Sequence, residues 1–268
     1  MTSASSNKTV VELRDVEVAF KESAVLTIPR LEIQSGKRLF VLGRSGSGKT
    51  TLSLLIKSRL QPAHGTVRVL DSSLRELDRK KRVALQRRVA MIDQEFHLVP
   101  RLSVIGNVLC GSLGRVPAWK SLVGMYPTAE WAKAEAILQE VDLDGLGERR
   151  VETISGGQRQ RVAIARALVN KPSVSNLDPE LAEDSLELLV RVTDRREVTL
   201  VVNLHQPRLA KQFATRVLGL YRGRVVFDGS PDTLSDDGEE LIYKSASDKS
   251  AEASGEGSIH DRIATSLA

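Results

Sequence analysis

The chain has 268 residues, enough for one large domain or two small ones. Its hydrophobic content of 41% supplies an ordinary globular core, and no apolar run approaches the ~20 residues that cross a bilayer. The net charge of +5 comes from 39 basic and 34 acidic residues spread along the chain. Its densest cluster, Arg79, Lys80, Lys81 and Arg82 followed by Arg87 and Arg88, reads as a solvated helix face and not as a nucleic-acid surface. The single cysteine, Cys110, excludes an internal disulfide and suits a reducing cytosol.

In chain order, residues 1–8 read as a polar tail with no apolar signal region. Thr9–Arg14 and Glu17–Phe20 read as two strands, and Leu31–Ile33 as a third. Phe20 is either a half-exposed strand aromatic or a ring on which a base stacks. The apolar run Lys37–Leu42, bounded by Gly36 and Gly43, reads as a buried strand. It leads into Gly43-Arg44-Ser45-Gly46-Ser47-Gly48-Lys49-Thr50, after which Thr51–Leu60 carries apolar residues at helical spacing. Strand, glycine loop and helix, with lysine and threonine in place, form the context of a phosphate-binding loop. The glycines let backbone N–H groups turn around phosphate oxygens, and the helix N-terminus adds partial positive charge. Lys49 is expected to reach the β- and γ-phosphates and the Thr50 hydroxyl to bind Mg²⁺. Gly43, Ser45, Gly46, Ser47, Gly48 and Thr51 complete the expected contacts.

Thr66–Leu70 alternates as a strand, Leu74–Gln86 is charged and helical, and Val89–Asp93 is a buried strand. Gln94 falls at the C-terminal end of that strand, the edge where ligands bind in open α/β sheets. From Leu102 to Leu146 helical spacing takes over, notably in Ala129–Val141, so a helical subdomain is expected within the α/β core. In Thr153–Leu168, Ser155 is a good N-cap, and glycines open an amphipathic helix whose N-terminus offers N–H groups to an anion. Asp184–Arg196 reads as a helix. Val198–Leu204, nearly all apolar and β-branched, reads as a parallel strand buried on both faces, and His205 ends it. Arg216–Tyr221 and Arg224–Phe227 read as a closing hairpin. Residues 245–268 have little to bury and read as a disordered tail, with a short helix over Ile259–Leu267.

Over roughly residues 9–244 the chain resembles the ATP-binding subunit of ABC transporters. The phosphate loop Gly43–Thr50, a Q-loop glutamine at Gln94, the signature Ile154-Ser155-Gly156-Gly157-Gln158 and a switch histidine at His205 occur in the family's order. Leu98–Gly114, Ser121–Pro127, Val202–Gln206 and Gly223–Gly229 are similar to segments of the phosphonate importer ATPase. The resemblance implies an α/β fold: a P-loop NTPase (RecA-like) core, a small antiparallel β subdomain and a helical subdomain at about residues 95–165. It also implies ATP and Mg²⁺ as cofactors. Two subunits would pair head to tail, with ATP between the phosphate loop of one and Ser155, Gly157 and Gln158 of the other. Phe20 would stack on adenine, and Gln94 would touch Mg²⁺ or the attacking water. The partners implied are a second nucleotide-binding subunit, a transmembrane permease and, indirectly, a solute-binding protein, with no nucleic acid. The location implied is peripheral, on the cytoplasmic face of the membrane.

The chain departs from this family at one place. The family has a Walker B strand of four apolar residues ending in Asp for Mg²⁺ and Glu as the base, followed by a D-loop of the form Ser-x-Leu-Asp. After Lys171-Pro172 comes Ser173-Val174-Ser175-Asn176-Leu177-Asp178-Pro179-Glu180, with no apolar run ending in Asp-Glu. The interval from Ser155 to Asp178 fits the Walker B aspartate, and the interval from Asp178 to His205 fits the D-loop aspartate. One residue cannot be both. The simplest account is that about seven residues are absent between Val174 and Ser175. After such a loss one rescue is open, in which Pro172–Leu177 slides into the strand slot and brings Asp178 toward Mg²⁺. It buries Ser175 and Asn176 and puts Pro179 where the glutamate belongs. A second departure is Asp93 before Gln94, where the phosphonate subfamily usually has an aromatic. The expectation is an importer subunit for phosphonate or a related phosphorus oxyanion that binds nucleotide and hydrolyses it weakly or not at all, with Gln94, His205 and Asp178 as its catalytic candidates. The alternative is a non-hydrolysing partner of an intact ATPase. A soluble ABC ATPase of repair or translation is disfavoured, since the chain has neither two cassettes nor long coiled-coil insertions.

Overall fold

The computed structural model describes residues 8–20, 23–92, 96–114, 125–177 and 182–243. The described strands form one ten-stranded sheet in the order β5-β4-β1-β2-β10-β9-β3-β8-β7-β6. Its first part is antiparallel: β1 (Thr9–Phe20), β2 (Ser23–Gln34), β4 (His64–Val69) and the short β5 (Ser72–Ser73). The two N-terminal strands expected from sequence are one, interrupted at Asp15, which takes φ 49 beside a register shift against β4. Likewise Leu31–Ile33 is the end of the longer β2.

The second part is parallel: β6 (Val89–Ile92), β7 (Val174–Leu177), β8 (Thr199–Leu204), β3 (Arg38–Leu42) and β9 (Arg216–Tyr221). β10 (Arg224–Gly229) turns back on β9 as the expected hairpin. The two parts meet where β10 pairs with β2 through the single register pair Arg224↔Thr27. The Thr27 N–H also donates to the Gly223 carbonyl at 2.7 Å.

α1 (Lys49–Ile56) follows β3, and α2 (Arg79–Arg88) lies before β6, burying only Leu85. A helical segment follows: α3 (Val104–Cys110), α4 (Thr128–Glu140) and α5 (Gly156–Leu168), which pack on one another and, through α5, on β6. α6 (Glu183–Arg195), α7 (Pro207–Phe213) and α8 (Asp236–Tyr243) complete the described helices.

The core divides across the sheet. On one side Leu52, Leu55 and Ile56 of α1 join Val11, Leu13, Val41, Val201 and Leu218. On the other, Phe40, Leu42, Leu177 and Val202 join Val108, Ile137, Ile164 and Leu189 from the helices. The helical segment thus shares its apolar core with the sheet.

β7 lies where the sequence departs from the family pattern. The central slot between β6 and β8 is filled by Val174-Ser175-Asn176-Leu177, and all four residues are buried. This is the slot into which the sequence reading let Pro172–Leu177 slide, and it puts Ser175 and Asn176 inside a parallel sheet. Leu177 registers with Ile92 on one side and Val202 on the other, while β8 runs on to Leu204 beside Leu42, so the described part of β7 ends level with that of β6 and two residues before the end of β8. Asp178, Pro179 and Glu180 lie outside the described residues, as do Asp93, Gln94 and the tail after Tyr243.

Candidate functional site

The phosphate loop begins where β3 ends, at the C-terminal edge of the parallel strands. Gly43 leaves no room for a side chain, since a Cβ there would lie 2.5 Å from the Leu220 carbonyl oxygen. Gly48 takes φ 101 as the residue before α1, and a Cβ on it would meet Leu26 Cδ1 at 2.9 Å. Its left-handed backbone and the crowding both require glycine. α1 therefore starts without a side-chain cap and with no acidic residue in its first turn. Its N-terminal amides and dipole suit an anion.

Lys49 is 7% exposed and folds back into the loop. Its Nζ donates to the carbonyls of Gly43 at 2.6 Å and Arg44 at 2.9 Å. A buried ammonium needs such oxygens. Ser47 is 3% exposed, and its hydroxyl has no hydrogen-bond partner among the described residues. Ser45 and Gly46 are exposed at the tip, Thr50 is half-buried, and Thr51 is buried. From behind, the Gly223 N–H donates to the Ser47 carbonyl at 3.1 Å. Tyr243 of α8 lies beside the Gly43 backbone, and burial pushes its phenol up to about 12, the Gly43 contact opposing this in part. The glycine cradle, the buried lysine and the orphaned Ser47 hydroxyl fit a polyphosphate.

His205 directly follows Leu204, whose register partner is Leu42. The histidine is exposed and stands level with Gly43 at adjacent strand ends. Sequence order alone gave no such proximity. Phe20 ends β1, but its side chain lies outside the described residues, as do Gln94 and Asp178. Among the described residues no group of three His, Cys, Asp or Glu side chains is placed to hold a metal ion.

The signature stands on different elements. Ser155 caps α5 by accepting from the Gln158 N–H at 3.2 Å, and Gln158 Oε1 accepts from the Ser155 N–H at 2.9 Å. This reciprocal capping box leaves Ser155, Gly156 and Gly157 exposed. α5 packs on α3, α4, α6 and β6, whereas α1 packs on β2 and β4. One copy of the chain thus carries the loop and the signature on separate surfaces.

Sequence reasoning missed two residues near the site. Arg166, at the end of α5, donates to the His97 carbonyl at 2.7 Å and to the Phe96 carbonyl, and so ties the segment just after Gln94 to the signature helix. Asn203 interrupts the apolar stretch Leu200–Leu204 of β8, and that interruption was the available signal. It binds Ser53 on α1.

The loop, the capped signature helix and the switch-positioned histidine on this sheet define a P-loop ATPase of the ABC type. A family model described as ABC transporter matches residues 26–181, and the chain belongs to that family. It is 33% identical over 243 residues to the phosphonates import ATP-binding protein PhnC of Treponema denticola, covering 88% of this chain and 94% of that one. It is 42% identical over 220 residues to PhnC 1 of Natronomonas pharaonis, covering 80% and 90%. Among solved structures, cbiO1 from Clostridium perfringens, part of the ABC transporter complex cbiONQ, superposes with a TM-score of 0.75 at 21% identity over 87% of this chain and 93% of that one. The ATP-binding cassette MJ0796, a dimer in a post-hydrolysis state bound to ADP and Pi, gives 0.67 at 27% identity over 82% and 98%.

Proposed function

We propose that this chain is the ATP-binding, energy-coupling subunit of an ABC importer for phosphonate or a related phosphorus oxyanion, with impaired hydrolysis. The loop around Lys49 and Ser47 supports nucleotide binding, and the names of its relatives support the solute class. ATP supplies the terminal phosphoryl group whose cleavage drives ABC machines. Lys49 neutralises the phosphates, the Ser47 hydroxyl and the loop amides donate hydrogen bonds to their oxygens, and Thr50 holds Mg²⁺. His205 stands at the strand edge that the terminal phosphate approaches, and Gln94 serves the Mg²⁺ side. A second copy closes the site with Ser155, Gly157 and Gln158.

The observation that carries the impairment is the buried polar strand Val174–Leu177. With this segment in the central slot, the sequence that follows it is Asp178-Pro179-Glu180, so no adjacent Asp-Glu pair comes after the strand to supply a Mg²⁺ carboxylate and a general base together. A positioned acid–base group is worth about 10²–10⁴ in rate. The same strand favours a second reading, in which ATP only clamps this chain against an intact ATPase.

Val99, Leu102, Leu113 and Met125, each exposed in the stretches flanking α3 and α4, are the apolar residues of the helical segment offered to a membrane permease. No described helix is long and apolar enough to cross a membrane itself. Phosphate release should be measured for the purified chain alone and mixed with an intact homologous subunit. Turnover at an ordinary ABC rate by the chain alone overturns the impairment. Activity only in the mixture favours the clamp.

A further inference from the structure

α1 carries a polar stripe on the face that covers the parallel strands. Lys49, Ser53 and Lys57 follow one another at four-residue intervals, so they stack along one side of the helix. Lys49 binds the loop carbonyls of Gly43 and Arg44. Lys57, just past the helix, donates to the Gln86 carbonyl at 3.3 Å and to the Val89 carbonyl where β6 begins. Between them Ser53, fully buried, touches two strands at once. Its hydroxyl donates to Asn176 Oδ1 of β7 at 3.2 Å and accepts from Asn203 Nδ2 of β8 at 2.9 Å. Asn176 is fully buried as well, and Asn203 is 4% exposed.

A serine inside a helix commonly bonds back to its own preceding turn or faces solvent. Ser53 instead bridges the helix to the sheet inside the core. The bridge is short on both sides. Ser53 is one turn from Lys49, and Asn203 is two residues from His205. The Ser53–Asn203 bond therefore fixes the loop lysine relative to the strand-end histidine, across a boundary where α1 otherwise packs Leu52, Leu55 and Ile56 on the sheet. Apolar packing resists separation but constrains sliding weakly, whereas a directional hydrogen bond in a dry interior fixes register.

We propose that Ser53 is a positioning residue of the phosphate site: through Asn203 it holds Lys49 and His205 at the spacing that distinguishes a nucleoside triphosphate from a diphosphate. The inference rests on the nucleotide-binding reading above. Its test is displacement of a fluorescent ATP analogue from the full chain in Mg²⁺, by ATP and separately by ADP, for wild type, Ser53→Ala, Ser53→Thr and Asn203→Leu. Loss of the Ser53–Asn203 bond, common to both variants, predicts roughly tenfold weaker ATP binding in Ser53→Ala and Asn203→Leu, with ADP changed less than about twofold. Ser53→Thr keeps a hydroxyl and should restore the wild-type ratio. Should Ser53→Ala fail to fold, Asn203→Leu, which leaves Ser53 paired with Asn176, carries the same comparison. A lowered melting temperature with an unchanged ATP-to-ADP ratio in both variants overturns the proposal alone. Wild type that binds neither nucleotide overturns the nucleotide reading and this inference together.

Discussion

Lys49 and Asn176 are both buried polar side chains, and they predict opposite outcomes. The Lys49 ammonium finds two carbonyl oxygens of its own loop, at 2.6 and 2.9 Å. It is held where an anion can replace or join those partners. Lys49→Ala removes that charge and should weaken MgATP binding by roughly tenfold or more in an equilibrium titration. Asn176 is different: Oδ1 is bonded by Ser53, but Nδ2 has no partner among the described residues. A buried amide N–H left unpaired costs about 1–3 kcal/mol. Asn176→Leu should therefore raise the urea midpoint by a corresponding amount, and Ser53 keeps Asn203. A lowered midpoint would contradict this account of β7.

At the level of elements, α4 and the end of α6 are joined by one clear ion pair. Arg196 donates to both carboxylate oxygens of Glu140, at 2.8 and 2.6 Å. Its guanidinium holds the Glu140 carboxyl below the ordinary value of 4.5. A lowered folded-state value stabilises the protein above the unfolded value, and that contribution disappears as pH falls through the folded one. Melts of wild type should thus lose stability below about pH 4.5, and Glu140→Gln should flatten part of that acid limb while lowering the plateau at neutral pH.

The same scale shows what the sequence made legible. β3, α1, β8 and α5 were readable because each combines an apolar period with a terminal signal: Gly43 after β3, Gly48 before α1, His205 after β8, Ser155 before α5. β7 carries no such pattern. Ser and Asn inside four residues have no strand period, and only the gap between β6 and β8 makes them extended. β1 was split in reading because Asp15 resembles a turn, yet pairing with β2 runs past it. α7 and α8 are short and take their helicity from packing on neighbouring strands. At the site, the loop was legible as a motif, but the alignment of His205 with Gly43 depends on strand register and on no local property of either residue.

For the whole molecule, the proposed permease surface gives a further expectation. Met125 and Val99, 56% and 49% exposed, project apolar bulk from the helical segment into solvent. Val99→Glu with Met125→Glu should abolish binding to vesicles carrying a cognate permease, assayed by flotation, and leave nucleotide affinity unchanged. Equal binding by the double variant would remove the case for docking there.

The junction between the two parts of the sheet has a mechanical meaning. A sheet of ten strands suggests a stiff plate, yet the Arg224↔Thr27 pair and the neighbouring Thr27–Gly223 bond are the rungs that carry the backbone ladder from one part to the other. That line runs beside Gly223, which in turn braces Ser47. The backbone ladder thus narrows to a seam there, bridged by the shared core around α1, and the seam is set against the phosphate loop. A tilt of the antiparallel part would be felt first at Ser47, and any load on Ser47 would be passed first to that part.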